Sequence, residues 1–268
     1  MRVAAALTHM AASATCPRPL LVLDFDQTIT LDDTLGLIAP SREALRPYTE
    51  AYMADYNACR DAFGPVTTLE RQLALMHALK PVNVASMDRI ARGGLFRGAD
   101  RSAMLERSAQ VRLRPGLDAI ARAARELSVD VGVVSIGWSR EFIHRVVDPT
   151  LGSTLTLVHA NEIARDEAGV GTGGVEGDLH SGIDKANSLP RQPILAVGDS
   201  SDDLPVLLAA RHGAVVRDGS IGKTCASIGL DVVEWAGELP RSGQLVRVDD
   251  LNDVAALLRR IVREDART

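Results

Sequence analysis

The chain has 268 residues, of which 46% are hydrophobic and 24% charged, with a formal net charge of −5. This is the make-up of one globular domain, or a domain with a smaller insert, and the acidic balance excludes a general nucleic-acid binder, which would carry a basic stripe. No run approaches the ~18 apolar residues of a membrane span. Cys16, Cys59 and Cys225 lie far apart with no CxxC or CxxH spacing, which excludes a disulfide framework or a zinc site.

In chain order, residues 1–18 read as a leader outside the fold. The leader is acid-free, with Arg2, Arg18 and several Ser/Thr, a composition that fits a mitochondrial targeting segment. The unpaired thiols favour a reducing, cytoplasmic location instead. "PLLVLDF" is a short continuous apolar run, as in a parallel strand covered on both faces. Between about Asp32 and Val111 strand-like runs vanish. Helical patterns take over in "REALRPYTEAYMADYNACR", "TLERQLALMHALK", "VASMDRIAR" and "RSAMLERSAQV", with breaks expected at Gly64-Pro65, Pro81 and Gly93-Gly94. This predicts a helical cap over 35–110 inserted into a core formed by 19–34 and 111–268.

The core pattern then resumes. "RPGLDAIARAAREL" puts Leu117, Ile120, Ala121, Ala124 and Leu127 on one helix face. Strand-like runs follow at Val129–Ser135, Thr154–Ala160, Pro193–Asp199 and Gly213–Arg217, while the even apolar spacing of "DEAGVGTGGVEG" predicts a hairpin. "DDLPVLLAAR" and "DDLNDVAALLRRI" begin with acids and end with arginines, as the helix dipole favours. Strands alternating with helices predict an α/β, Rossmann-like core with a mainly parallel sheet.

Ligands of such sheets gather at the carboxyl ends of strands. The first strand run ends at Asp24, with Asp26 and Thr28 just past it. The second ends at Ser135, followed by Ile136 and Gly137. "PILAVGDSSDD" ends at Asp199, with Asp203 four residues on, and Lys185 lies ahead of it in "SGIDKA". Two carboxylates about 4 Å apart repel by ~4 kcal/mol at an effective dielectric near 20. One lysine does not neutralise four acids. A divalent cation with oxygen ligands does, and Mg²⁺ suits the donor set. A carboxylate beside Mg²⁺ can attack phosphorus, and a second one two residues on can protonate the leaving oxygen.

"DFDQT", "VVSIG", "DK" and "GDSSDD" resemble the four motifs of the haloacid dehalogenase (HAD) superfamily. "LRPGL", "HANEI" and "TGGVEG" resemble its phosphoserine-phosphatase-like branch. The resemblance implies Asp24 as nucleophile and Asp26 as general acid/base, with Mg²⁺ held by Asp24, Asp199 and the Asp26 carbonyl. It implies phosphate binding by Ser135 and Lys185, support from Asp203, and a cap formed by the inserted helices.

The second and fourth motifs depart from that branch, with Ile136-Gly137-Trp138 where Gly-Gly is usual and Asp202 where Asn is usual. "SIGWSREFI" also looks like eukaryotic relatives, some allied to thiamine-monophosphate phosphatases. The presence of Asp26 favours phosphoryl transfer over dehalogenation. The expected function is therefore a Mg²⁺-dependent phosphatase acting on a small phosphorylated metabolite. A phosphomutase or phosphotransferase, or a non-catalytic HAD-like regulatory protein, stands as the alternative. Tyr48, Tyr52 and Tyr56 fall at i, i+4, i+8 on one predicted helix. They are read either as cap packing or, at Tyr52 and Tyr56, as a wall that stacks a heteroaromatic leaving group.

Overall fold

The computed structural model describes residues 17–267, so most of the expected leader and Cys16 lie outside the described residues. The chain enters at β1 (Leu20–Leu23), turns through α1 (Leu35–Ile38), and builds a helical layer. That layer comprises α2 (Arg42–Phe63), α3 (Leu69–Gly93), α4 (Arg101–Glu106) and a 3₁₀ turn over Arg107–Gln110. It returns through α5 (Leu117–Leu127), β2 (Asp130–Val134), α6 (Arg140–Leu151) and β3 (Leu155–His159). A hairpin follows, β4 (Glu162–Arg165) with β5 (Gly171–Glu176). The rest runs α7 (Gly182–Asn187), β6 (Leu195–Gly198), α8 (Leu204–Ala209), β7 (His212–Val216), α9 (Ile221–Ile228), β8 (Val232–Glu234), β9 (Leu245–Val248) and α10 (Leu251–Asp265).

Seven strands form one sheet in the order β3-β2-β1-β6-β7-β9-β8, and every pairing in it is parallel. All four residues of β1 and of β6 are buried, which is why their sequences read as unbroken apolar runs. The strand order reverses between β1 and β6, and this switch point opens a crevice at their carboxyl ends. Helix α5 buries Leu117, Ile120, Ala121 and Ala124 as its periodicity predicts. It packs beside α10, whose N-cap Asp250 accepts from the Asn252 and Asp253 amides. Gly116 makes that junction: its φ is +98°, and a Cβ there would sit 2.3 Å from the Asn252 nitrogen.

The helical layer leaves and rejoins the core at one neck. Thr30 and Leu113 form an antiparallel bridge, the Leu31 amide donates to the Arg112 carbonyl, and the Arg114 amide donates to that of Ile29. The Asp32–Arg112 ion pair closes it outside.

Pro81 does not break its helix as the sequence predicted, because α3 runs unbroken through it. A proline there forfeits one backbone bond and costs ~3 kcal/mol, but α3 is anchored on both sides of it. Lys80 Nζ lies 2.6 Å from Asp184 Oδ1, and Asn83 Nδ2 donates to the His180 carbonyl at 2.6 Å. The Gly64 and Gly94 stops fall where expected. Strands β8 and β9 were not foreseen. They are three and four residues long and carry Glu234 and Arg247, too short and too polar to show a period.

Candidate active site

Asp24 follows β1 directly, and its amide still donates to the Val197 carbonyl of β6. Its side chain is therefore carried to the switch point by the sheet itself. Lys185 of α7, 3% exposed, bridges two carboxylates, with Nζ 2.6 Å from both Asp24 Oδ1 and Asp203 Oδ1. Burial disfavours the Lys185 charge, yet Asp203 and Asp24 outweigh it and push its pKa up. Asp24 is pushed well above the usual carboxylate range, first by burial, and by Asp203 and Asp199 against the pull of Lys185. Asp199, at the end of β6, is raised to about 7 by burial and then by Asp203.

Carboxylate oxygens of Asp24, Asp199 and Asp203 all lie within 4.8 Å of one another. Asp203 is committed to the protein: Oδ2 accepts from the Asp199 amide, the Ser200 amide and the Ser200 hydroxyl, and Oδ1 from Lys185. Asp24 Oδ2, Asp199 Oδ2 and the Asp26 carbonyl have no protein donor among the described residues. Three buried acids against one lysine, with free oxygens converging, fit a hard divalent cation. In that set Asp203 holds Lys185 and the Asp199 loop.

Asp26 Oδ1 accepts from the Thr34 amide at 2.8 Å. Burial, and then Asp33, push its carboxyl up to about 7. A carboxyl raised in the folded state stabilises most fully below its unfolded pKa, and loses that contribution as pH rises through the folded value. Asp26 and Asp199 therefore predict that metal-free protein in chelator melts lower at pH 8.5 than at pH 6.5. A melting temperature that climbs over this interval would remove the account.

The loops are fixed from behind. Arg114, 5% exposed, donates to the Thr28 carbonyl at 3.0 Å and the Gln27 carbonyl at 2.7 Å, and pairs with Asp218. This holds the turn in which Gln27 adopts a φ of 59°. The Ser135 hydroxyl accepts from the Gly137 amide at 3.0 Å. Asn161, 1% exposed, donates to the Ile136 and Leu179 carbonyls and accepts from the Leu179 amide. It thereby pins the Ser135–Gly137 loop to the segment before α7. The sequence reading gives neither Arg114 nor Asn161 a role, although both lie in motifs that resemble the branch, "LRPGL" and "HANEI". A polar residue inside an apolar or loop segment was the available signal.

Asp24, Asp26, Ser135, Ile136, Gly137, Lys185, Asp199 and Tyr52 all line one cavity of about 420 Å³. Two residues expected to touch substrate do not line it. Thr28 is fully buried beneath the loop, with its hydroxyl 3.4 Å from Asp199 Oδ1. Tyr56 lies ~6 Å farther along α2 than Tyr52, stacked between Tyr52 and the Arg60 guanidinium. Tyr48, which the sequence did not assign to the wall, lines the cavity where Tyr56 was expected.

A doubly covered parallel sheet with an acid pair after β1, a hydroxyl after β2, a buried lysine and two acids after β6 defines the catalytic core of the HAD-type hydrolases. The chain matches the haloacid dehalogenase-like hydrolase family over residues 21–208 and belongs to it.

A phosphoserine phosphatase of Streptomyces coelicolor is 26% identical over 224 residues, covering 80% of this chain and 47% of that protein. A CTO1 family protein of Schizosaccharomyces pombe is 30% identical over 156 residues, covering 55% of this chain and 57% of the relative. The chain thus spans about half the length of these curated relatives. Cytosolic 5'-nucleotidase IIIB bound to cytidine superposes with a TM-score of 0.58 at 14% identity, covering 93% of this chain and 86% of that one. A HAD family hydrolase from Salmonella enterica serovar Typhi gives 0.57 at 15%, covering 90% and 72%. These two structures share the fold. The phosphoserine-phosphatase-like branch is the part of the family that the sequence is similar to.

Proposed function

We propose that this protein is a Mg²⁺-dependent phosphatase that hydrolyses a small-molecule phosphomonoester through an aspartyl-phosphate on Asp24. The observation that carries the reading is the lysine bridge. Lys185 holds Asp24 Oδ1 and Asp203 Oδ1, which leaves Asp24 Oδ2 without a protein donor among the described residues, on a residue that lines the same cavity as Asp26. Residues 35–110 would serve as the cap over that cavity. Asp24, Asp199 and the Asp26 carbonyl would hold the cation, which supplies positive charge to the phosphoryl oxygens.

A carboxylate oxygen of Asp24 attacks phosphorus as the bond to the leaving oxygen breaks. Asp26 gives its proton to that oxygen, a task suited to a carboxyl with a pKa of about 7. Asp26 then takes a proton from the water that attacks the phosphorus of the intermediate, which frees Asp24 and phosphate. Because the Ser135 hydroxyl accepts from Gly137, its own proton is available to a phosphoryl oxygen, as is the Ile136 amide.

Turnover of p-nitrophenyl phosphate with Mg²⁺, lost in excess EDTA and restored by Mg²⁺, is the expected result. Folded protein that releases no nitrophenol with Mg²⁺ would defeat the reading.

A further inference from the structure

Outside the acid–lysine cluster the cavity has a distinct chemistry. Lys185 is the only lysine or arginine on its described lining, and its charge is spent on Asp24 and Asp203. The acids Asp33 and Asp202 also face the cavity, and neither has an ion-pair partner among the described residues. Asp202 is the acid that stands where the branch usually has Asn.

Three packed aromatic side chains stand on the remaining wall, beside Met53, Met87, Ile90 and the polar Asn83, Ser86 and His180. Trp138 meets Phe96 edge-on, with ring centroids 5.9 Å apart at 88°. Tyr48 packs against Gly93, where a Cβ would lie 2.1 Å from the phenol oxygen. Tyr52 rests on Tyr56 at 5.9 Å. Burial and then the Asp202 charge hold the Tyr52 phenol up at about 12, so Tyr52 stays neutral beside the acid. Asp202 is placed by a close backbone approach, since a Cβ on Gly182 would lie 2.1 Å from its carbonyl oxygen.

We propose that this wall selects a nucleoside-like leaving group, flat, free of carboxylate and bearing N–H donors or positive charge, with Tyr52 and Asp202 as its specificity residues. A ring stacks on the tyrosines or Trp138, and its donors meet Asp202. An amino-acid carboxylate entering the same space meets Asp33 and Asp202 with no counter-ion, and both acids repel it. The cavity is large enough for such a ligand.

The inference rests on the phosphatase reading, and the test separates the two. Purified protein with Mg²⁺ is assayed on p-nitrophenyl phosphate, cytidine 5'-monophosphate and phosphoserine. The expected kcat/KM for the nucleotide exceeds that for phosphoserine by at least about 100-fold. Asp202→Asn and Tyr52→Ala should each cut this ratio by at least about tenfold, whereas Tyr52→Phe keeps it. Turnover of p-nitrophenyl phosphate with phosphoserine used as well as the nucleotide overturns the inference while sparing the phosphatase reading. Wild-type preference that survives unchanged in both Asp202→Asn and Tyr52→Ala overturns the residue assignment. No turnover of any ester defeats the phosphatase reading itself.

Discussion

Asp24→Asn is expected to lower p-nitrophenyl phosphate turnover by at least about 10³-fold without loss of the fold. Asparagine keeps an oxygen for Lys185 but replaces the other carboxylate oxygen with an amide nitrogen, which removes the charge a nucleophile needs. It also removes one charge from a buried acidic cluster, so metal-free variant should melt at or above the wild-type temperature at pH 7.5. Acid-quenched wild type turning over substrate should carry protein-bound phosphate that hydroxylamine releases, and the variant none. Activity within tenfold of wild type would remove Asp24 from the nucleophile's role. A large fall in melting temperature would mean that its charge is structural.

Lys185→Met should act in the opposite sense on stability. It leaves Asp24, Asp199 and Asp203 buried together with no cation. Breaking one side of a buried ion pair costs about 3–5 kcal/mol, equivalent to ~10 °C in melting temperature for a chain of this size. The deficit should be largest at alkaline pH and shrink as acid protonates the raised carboxyls, since their stabilising contribution is present at low pH and lost through about 7. Mg²⁺ should recover part of it by linkage. Denaturation scans at pH 6 and pH 8.5, with and without Mg²⁺, test this. A deficit independent of pH and metal would point to lost packing of the lysine stem alone.

Much of this was legible in the sequence because buried parallel strands announce themselves as apolar runs, and the chemistry hangs on their ends. β1, β2, β6 and β7 were read from such runs, and the acids after β1 and β6 followed. The hairpin β4–β5 was visible because one face of β5 is buried and the other is not. Pro81 misled because local propensity favoured a break, whereas Lys80 and Asn83 secure the helix through distant partners. Thr28 and Tyr56 illustrate a different limit. Spacing gives the helix face or the loop, but orientation within 6 Å depends on packing that no local pattern encodes. The supports Arg114 and Asn161 act through backbone carbonyls far away in sequence, and no residue-type pattern marks those acceptors.

The neck at Thr30 and Leu113 has an evolutionary corollary. The helical excursion starts and ends at one clamped point, so lengthening or exchanging it adds little closure entropy to the sheet. Much of the aromatic wall belongs to that excursion, while the acids and the lysine belong to the sheet edge. The two parts form a cassette and a chassis. Descendants of this chain are free to change what they recognise by rewriting the cassette, with the machinery that breaks the bond left untouched.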